Sequence, residues 1–114
     1  MPVLRLKRVY DAPAGDDGKR ILVDRLWPRG LTKEKARIDL WAKSLAPRDA
    51  LRHEFHGHPD RWQEFVSAYD KELEGNPALA ELKALVRKER ATLLYASRDG
   101  EHNNAVVLLE ALKR

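Results

Sequence analysis

Along this chain the spacing of apolar residues changes in a way that separates strands from helices. Val3, Leu4, Leu6 and Val9 interleave with Arg5, Lys7 and Arg8, and this alternation predicts a strand over Val3 to Tyr10 with one face wetter than the other. Asp11 to Gly18 is dense in turn-forming residues and reads as an exposed loop. Lys19 to Asp24 is a second strand with the continuous run Ile21-Leu22-Val23. Ala91 to Ala96 (ATLLYA) shows no alternation at all, which predicts a strand buried on both faces.

Between these strands the period lengthens. Thr32 caps a short helix through Ala36. Asp39 to Leu45 fits either a short strand or an extended cover over the core. A helix over Pro47 to Phe55 is expected, with Pro47 near its first position and Leu51 and Phe55 four residues apart. Trp62, Phe65, Val66, Tyr69 and Leu73 make one stripe on a helix over Pro59 to Leu73. Asn76-Pro77 opens a further helix carrying Leu79, Leu82, Leu85 and Val86. A terminal helix over Glu101 to Lys113 packs Ala105, Val106, Leu108, Leu109 and Leu112. Strands separated by helices imply an α/β fold: one small domain over residues 1–114, with a mostly parallel sheet of three to four strands covered by helices. The chain has no internal repeat, linker or low-complexity tract.

Composition narrows the class. With 114 residues, 43% of them hydrophobic, there is room for one core. No apolar run approaches the roughly 18 residues of a membrane span, and the N-terminal stretch lacks the apolar centre of a signal peptide. The absence of cysteine excludes disulfides, thiolate metal sites and a cysteine nucleophile. A cytoplasmic location and no membrane partner are the corresponding expectations. The net charge of +4 is unevenly spread: residues 1–37 hold ten Lys/Arg against five Asp/Glu, residues 38–114 twelve against thirteen. A basic N-terminal third attracts anions, nucleic acid included, although charged residues also simply solvate a surface.

Two polar loops carry the candidate chemistry. Asp24-Arg25-Leu26-Trp27-Pro28-Arg29-Gly30 follows the second strand, and Ser97-Arg98-Asp99-Gly100-Glu101-His102-Asn103-Asn104 follows the last. In open α/β sheets ligands bind at the carboxyl ends of the strands, so neighbouring parallel strands would bring both loops to one crevice. Arg25, Arg29 and Arg98 are candidates for gripping a phosphate or carboxylate, with Ser97, His102 and Asn103 as hydrogen-bonding partners. His102 and Asn103 are expected in the first turn of the last helix. Asp24, Asp99 and His102 are candidate proton-transfer groups. The structural alternatives are that Ser97 or Asp99 caps the helix, that Arg98 pairs with Asp99 or Asp24, that Asp24 and a neighbouring arginine form an internal ion pair, and that Trp27 is a packing anchor rather than a stacking platform. His53, His56 and His58 are read as surface residues, and no metal or other cofactor is expected. No Walker loop, dinucleotide fingerprint, nucleophile elbow or zincin pattern occurs.

DRLWPRG at Asp24 to Gly30, Ile38-Asp39-Leu40-Trp41, Leu45-Ala46-Pro47, His58-Pro59-Asp60-Arg61-Trp62, Leu93-Leu94-Tyr95-Ala96 and His102-Asn103-Asn104-Ala105 together resemble the DUF488 family, in its short, bacterial YeaO-like branch. The resemblance implies a compact cytoplasmic α/β domain and no assigned function. Other branches of the family carry a Cys-His-Arg arrangement after the last strand. This chain has His102-Asn103-Asn104 there and no cysteine, so thiol chemistry does not transfer. The leading expectation is a protein binding an anionic small molecule at the strand ends. The alternatives are a nucleic-acid-associated module using the basic N-terminal third and Trp27, or a non-catalytic interaction protein.

Overall fold

The computed structural model describes residues 2–114. Four strands, β1 (Leu4–Arg8), β2 (Lys19–Leu22), β3 (Leu40–Trp41) and β4 (Ala91–Tyr95), form one all-parallel sheet in the order β1-β4-β2-β3. Five helices accompany it: α1 (Lys33–Ala36), α2 (Asp49–Phe55), α3 (Trp62–Glu74), α4 (Ala78–Lys88) and α5 (Asn104–Lys113). The expected α/β architecture holds. The ambiguous stretch at Asp39 to Leu45 resolves into a two-residue edge strand followed by a 3-10 turn over Lys43–Leu45.

Strand register explains the division of the core. Leu6, Leu93 and Ile21 are in register across three strands, so the residues of that parity share one face. There Ile21, Val23, Ala91, Leu93 and Tyr95 pack with α2 to α5. Residues of the other parity line the second face, which has two chemistries. At its C-terminal end Val9, Leu22 and Leu94 pack against Trp27, Leu31, Ile38 and Trp41. At its N-terminal end lies Asp17, fully buried, whose carboxylate takes Arg20 Nη1 at 2.6 Å, Lys7 Nζ at 3.2 Å and the Ala14 N–H at 3.0 Å. The Arg20 guanidinium is buried too and also donates to the Ala36 carbonyl. Burial pushes the Asp17 carboxyl up, but the Ala14 N–H and the two cations outweigh it and hold it below its ordinary value. Arg5 and Lys7 of β1 therefore serve this ion cluster.

The helices begin and end for local reasons, and three starts differ from expectation. α3 begins at Trp62, after a 3-10 turn over Pro59–Arg61, rather than at Pro59. Pro47 lies before α2 rather than in its first turn, because Arg48 occupies the cap position and the helix starts at Asp49. Gly57, at φ +77°, reverses the chain after that helix. The terminal helix starts at Asn104, not Glu101: the Asn103 side chain accepts the Val106 N–H and is the cap. Ser97 and Asp99 act further upstream, inside the turn. Gly18, at φ +66°, lets the chain pass against the Arg90 carbonyl, which a Cβ there would meet at 2.2 Å.

Candidate functional site

Because β2 and β4 are parallel neighbours, the loops after them do meet at one edge, and Asp24 joins them. Its carboxylate accepts the Ala96 N–H at 2.9 Å and the Asn104 Nδ2 at 3.1 Å, while the same Asn104 amide donates to the Val23 carbonyl at 2.9 Å. One carboxylate thus binds the end of β2, the end of β4 and the start of α5. Burial pushes the Asp24 carboxyl above its ordinary value, against the opposing pull of the Ala96 N–H, Asn104 and the nearby Arg52 charge. Asp24 forms no ion pair with Arg25. Arg25 instead places Nε 3.3 Å from Asp49 at the start of α2.

The loop after β4 is a self-contained polar turn. Ser97 Oγ accepts the Asp99 N–H, and Asp99 accepts the Glu101 and His102 N–H groups together with a bond to the His102 ring. Those backbone N–H groups hold the exposed Asp99 carboxyl below its ordinary value. His102 also meets the Trp62 ring edge-on, with centroids 5.1 Å apart. Asn103 is buried, caps α5 and donates to the Asp99 carbonyl. His102 and Asn103 therefore precede the helix rather than filling its first turn, because the Asp99 turn takes the residues from Ser97 to His102 out of helical geometry.

The arginines are arranged differently from the sequence expectation. Arg29 and Arg98 are both exposed, and among the described residues neither forms an ion pair. Arg8, which sequence reasoning left as an ordinary strand residue, joins them. It donates from Nε to the Ser97 carbonyl at 3.0 Å and from Nη2 to the Ala96 carbonyl at 3.1 Å, and lies over the Tyr10 ring. The Tyr10 hydroxyl in turn donates to the Arg29 carbonyl at 2.8 Å. The end of β1 thereby touches the loops that follow β2 and β4, and each of the three segments carries an arginine: Arg8, Arg29 and Arg98. Trp27 is a packing anchor: its indole N–H donates to the Leu31 carbonyl, and it packs edge-on against Trp41 at 5.6 Å. Trp41 donates to the Asp24 carbonyl. His53, His56 and His58 are exposed, and no group of His, Asp or Glu able to hold a metal ion occurs among the described residues.

A family model described as the inactive DUF488-N3 subclade matches residues 3–114. The chain belongs to the DUF488 family. Its DUF488 relatives include an uncharacterised protein of Mycobacterium tuberculosis, 41% identical over 109 residues that cover 96% of this chain and 92% of the relative. The uncharacterised YeaO protein of Escherichia coli is 39% identical over 111 residues, 96% of each chain. No solved structure matches. The expected resemblance is thus established over nearly the whole length. No helix among the described residues is long and apolar enough to cross a membrane.

Proposed function

We propose that this DUF488 chain is a non-catalytic binding protein that takes a phosphate- or carboxylate-bearing small molecule on the rim formed by Arg8, Arg29 and Arg98. The observation that carries the reading is that these three guanidinium groups stand on segments tied together through Tyr10 and the Ser97 carbonyl, with no carboxylate partner described for any of them. Guanidinium forks suit phosphate and carboxylate geometry. Three cations without carboxylate partners on these joined segments raise the local anion concentration, Arg8 as a charge whose Nε and Nη2 already donate to backbone carbonyls. Support for a non-catalytic role comes from the candidate acid–base groups. Asp24 is committed to joining two strands and a helix, Asp99 to its turn, and the chain has no thiol. The description of the matching subclade as inactive agrees with this.

The basic N-terminal third favours nucleic acid less than its charge count suggests. Arg5, Lys7 and Arg20 are paired with Asp16 or Asp17, and Arg25 with Asp49. The test is titration with pyrophosphate followed by amide NMR. Saturable shifts at residues 8–10, 29–31 and 96–98 are expected, with affinity lowered about tenfold by Arg29→Ala and by Arg98→Ala, or ~1.4 kcal/mol each. No saturable binding below about 10 mM would overturn the reading. Tight binding of a short DNA strand with a steep salt slope, shared among Lys33, Lys35 and Arg37, would replace it with the nucleic-acid reading.

A further inference from the structure

We infer that anion binding at the arginine rim is proton-linked: the rim takes up its anion together with a proton on Asp24 and releases both as pH rises. This rests on the proposed rim and adds how that site is controlled. Its basis is Ala96, which joins the two groups. The Ala96 N–H donates to Asp24 Oδ2 at 2.9 Å, and the Ala96 carbonyl accepts Arg8 Nη2 at 3.1 Å. Arg8 Nε takes the next carbonyl along, that of Ser97, at 3.0 Å. A half-buried carboxylate and a rim guanidinium are thus bonded to the backbone of one and the same residue, and the charge on the first is felt at the second.

The charges that face Asp24 decide when it titrates. Arg52 of α2 lies near enough to favour its ionised form. Arg25, next in the chain, is turned to Asp49. From α3 comes the Tyr69 hydroxyl, bonded to the Leu45 carbonyl and kept neutral by burial. α5 presents the uncharged Asn104 amide, and β3 the Trp41 indole, which donates to the Asp24 backbone carbonyl. In the turn before α5, Asp99 and His102 pair with one another. Burial outweighs these partners and raises Asp24, whereas the Glu101 and His102 N–H groups hold Asp99 down. Of the two carboxyls Asp24 therefore takes up a proton first on acidification, while Asp99 keeps its charge. An anion on the rim adds like charge near Asp24 and favours its neutral form further. By reciprocity the neutral form favours the anion by the same factor. A neutral carboxyl still accepts the Ala96 N–H, so the strand ends stay joined when the charge goes.

The experiment uses the whole chain, isotopically labelled, with sulfate as the probe, between about pH 7 and about pH 4.5, where a raised carboxyl takes up its proton. Sulfate keeps its charge throughout that range. Acidification is expected to tighten sulfate binding to wild type about threefold more than it tightens binding to Asp24→Asn. Asp99 and His102 are common to both proteins and cancel in the comparison. A second measurement needs no variant: saturating sulfate should raise the midpoint of the Asp24 carboxyl titration in wild type, followed by NMR of its side-chain carbon, by about 0.5 in pH. Equal pH dependence in the two proteins, or a midpoint that sulfate leaves in place, would overturn the inference while saturable shifts at the rim amides leave the binding reading intact. Sulfate that shifts no rim amide at any pH in the range would overturn both.

Discussion

Asp24→Ala tests whether one carboxylate holds the strand ends together. The substitution removes the acceptor of the Ala96 N–H and one of the two acceptors of the Asn104 amide, which keeps the Val23 carbonyl. A hydrogen bond to a charged group contributes roughly 1.5–3 kcal/mol. Against this stands the relief of taking a half-buried charge out of the fold, so the net loss is about 1–3 kcal/mol. A chain of this size loses roughly 4 °C in Tm per kcal/mol, and the expected fall is about 4–12 °C. The pH dependence carries a second, independent sign. Burial raises the Asp24 carboxyl in the folded protein above its ordinary value of 3.8, so the folded state holds that proton more tightly than the unfolded state does. Wild-type stability attributable to this group therefore falls as pH rises from the unfolded value through the folded one, and is constant above it. The gap between wild type and Asp24→Ala should widen on acidification from about pH 7 to about pH 4, followed by thermal melts monitored by circular dichroism. A Tm change under about 2 °C would refute the joining role, and a gap that narrows on acidification would refute the account of the charge.

The buried ion cluster should respond more strongly. Asp17→Ala leaves the Arg20 guanidinium buried with only the Ala36 carbonyl, an expected loss of about 3–5 kcal/mol in urea denaturation. The Asp17 carboxyl is depressed in the fold, so its contribution is present above the ordinary carboxylate value and disappears as pH falls through the folded value. Gly18→Ala puts a Cβ 2.2 Å from the Arg90 carbonyl at φ +66°, and a loss of at least about 3 kcal/mol is expected. Gly30→Ala is its control: φ is +83° but nothing lies within 4 Å of the added Cβ, so only the ~1–2 kcal/mol of left-handed strain applies. Equal losses at the two glycines would show that backbone strain, not the close approach, dominates.

Periodicity carries the parts of this fold that rest on burial. β4 lacks alternation because both faces of it are covered, and Trp62, Phe65 and Tyr69 recur at helical spacing because one side of α3 meets the core. Polar partners follow a different logic. Arg8 reaches the Ala96 and Ser97 carbonyls only because β1 lies beside β4 rather than beside β2, and no local pattern encodes that order. Asn104 was visible in the run of two asparagines, yet its role depends on Asp24 standing eighty residues earlier in the chain at the neighbouring strand end. The sixteen-residue reach from Arg20 to Ala36 is hidden for the same reason, since a charged residue in a strand reads as exposed until its buried counter-ion is located. The turn at Ser97 to His102 was legible as polar, but which residue capped α5 depended on where that turn ended.

The placement of Asp24 also bears on the ligand. At the carboxyl end of neighbouring parallel strands, beside the start of a helix, an open α/β sheet usually receives its ligand, often an anion on the helix N–H groups. Here the chain's own carboxylate stands at that junction, bonded to the Ala96 N–H and to the first residue of α5, and the Asn103 side chain takes the Val106 N–H. An incoming anion would have to displace a group of its own charge. Arg8 donates to the carbonyl of the same Ala96 whose N–H Asp24 holds, and Arg8, Arg29 and Arg98 have no carboxylate to displace. Removing the Asp24 charge by Asp24→Asn should then tighten pyrophosphate binding at the rim, since it deletes a nearby like charge while leaving an acceptor for the Ala96 N–H. Weaker binding in that variant would mean that Asp24 positions the rim rather than opposing its ligand.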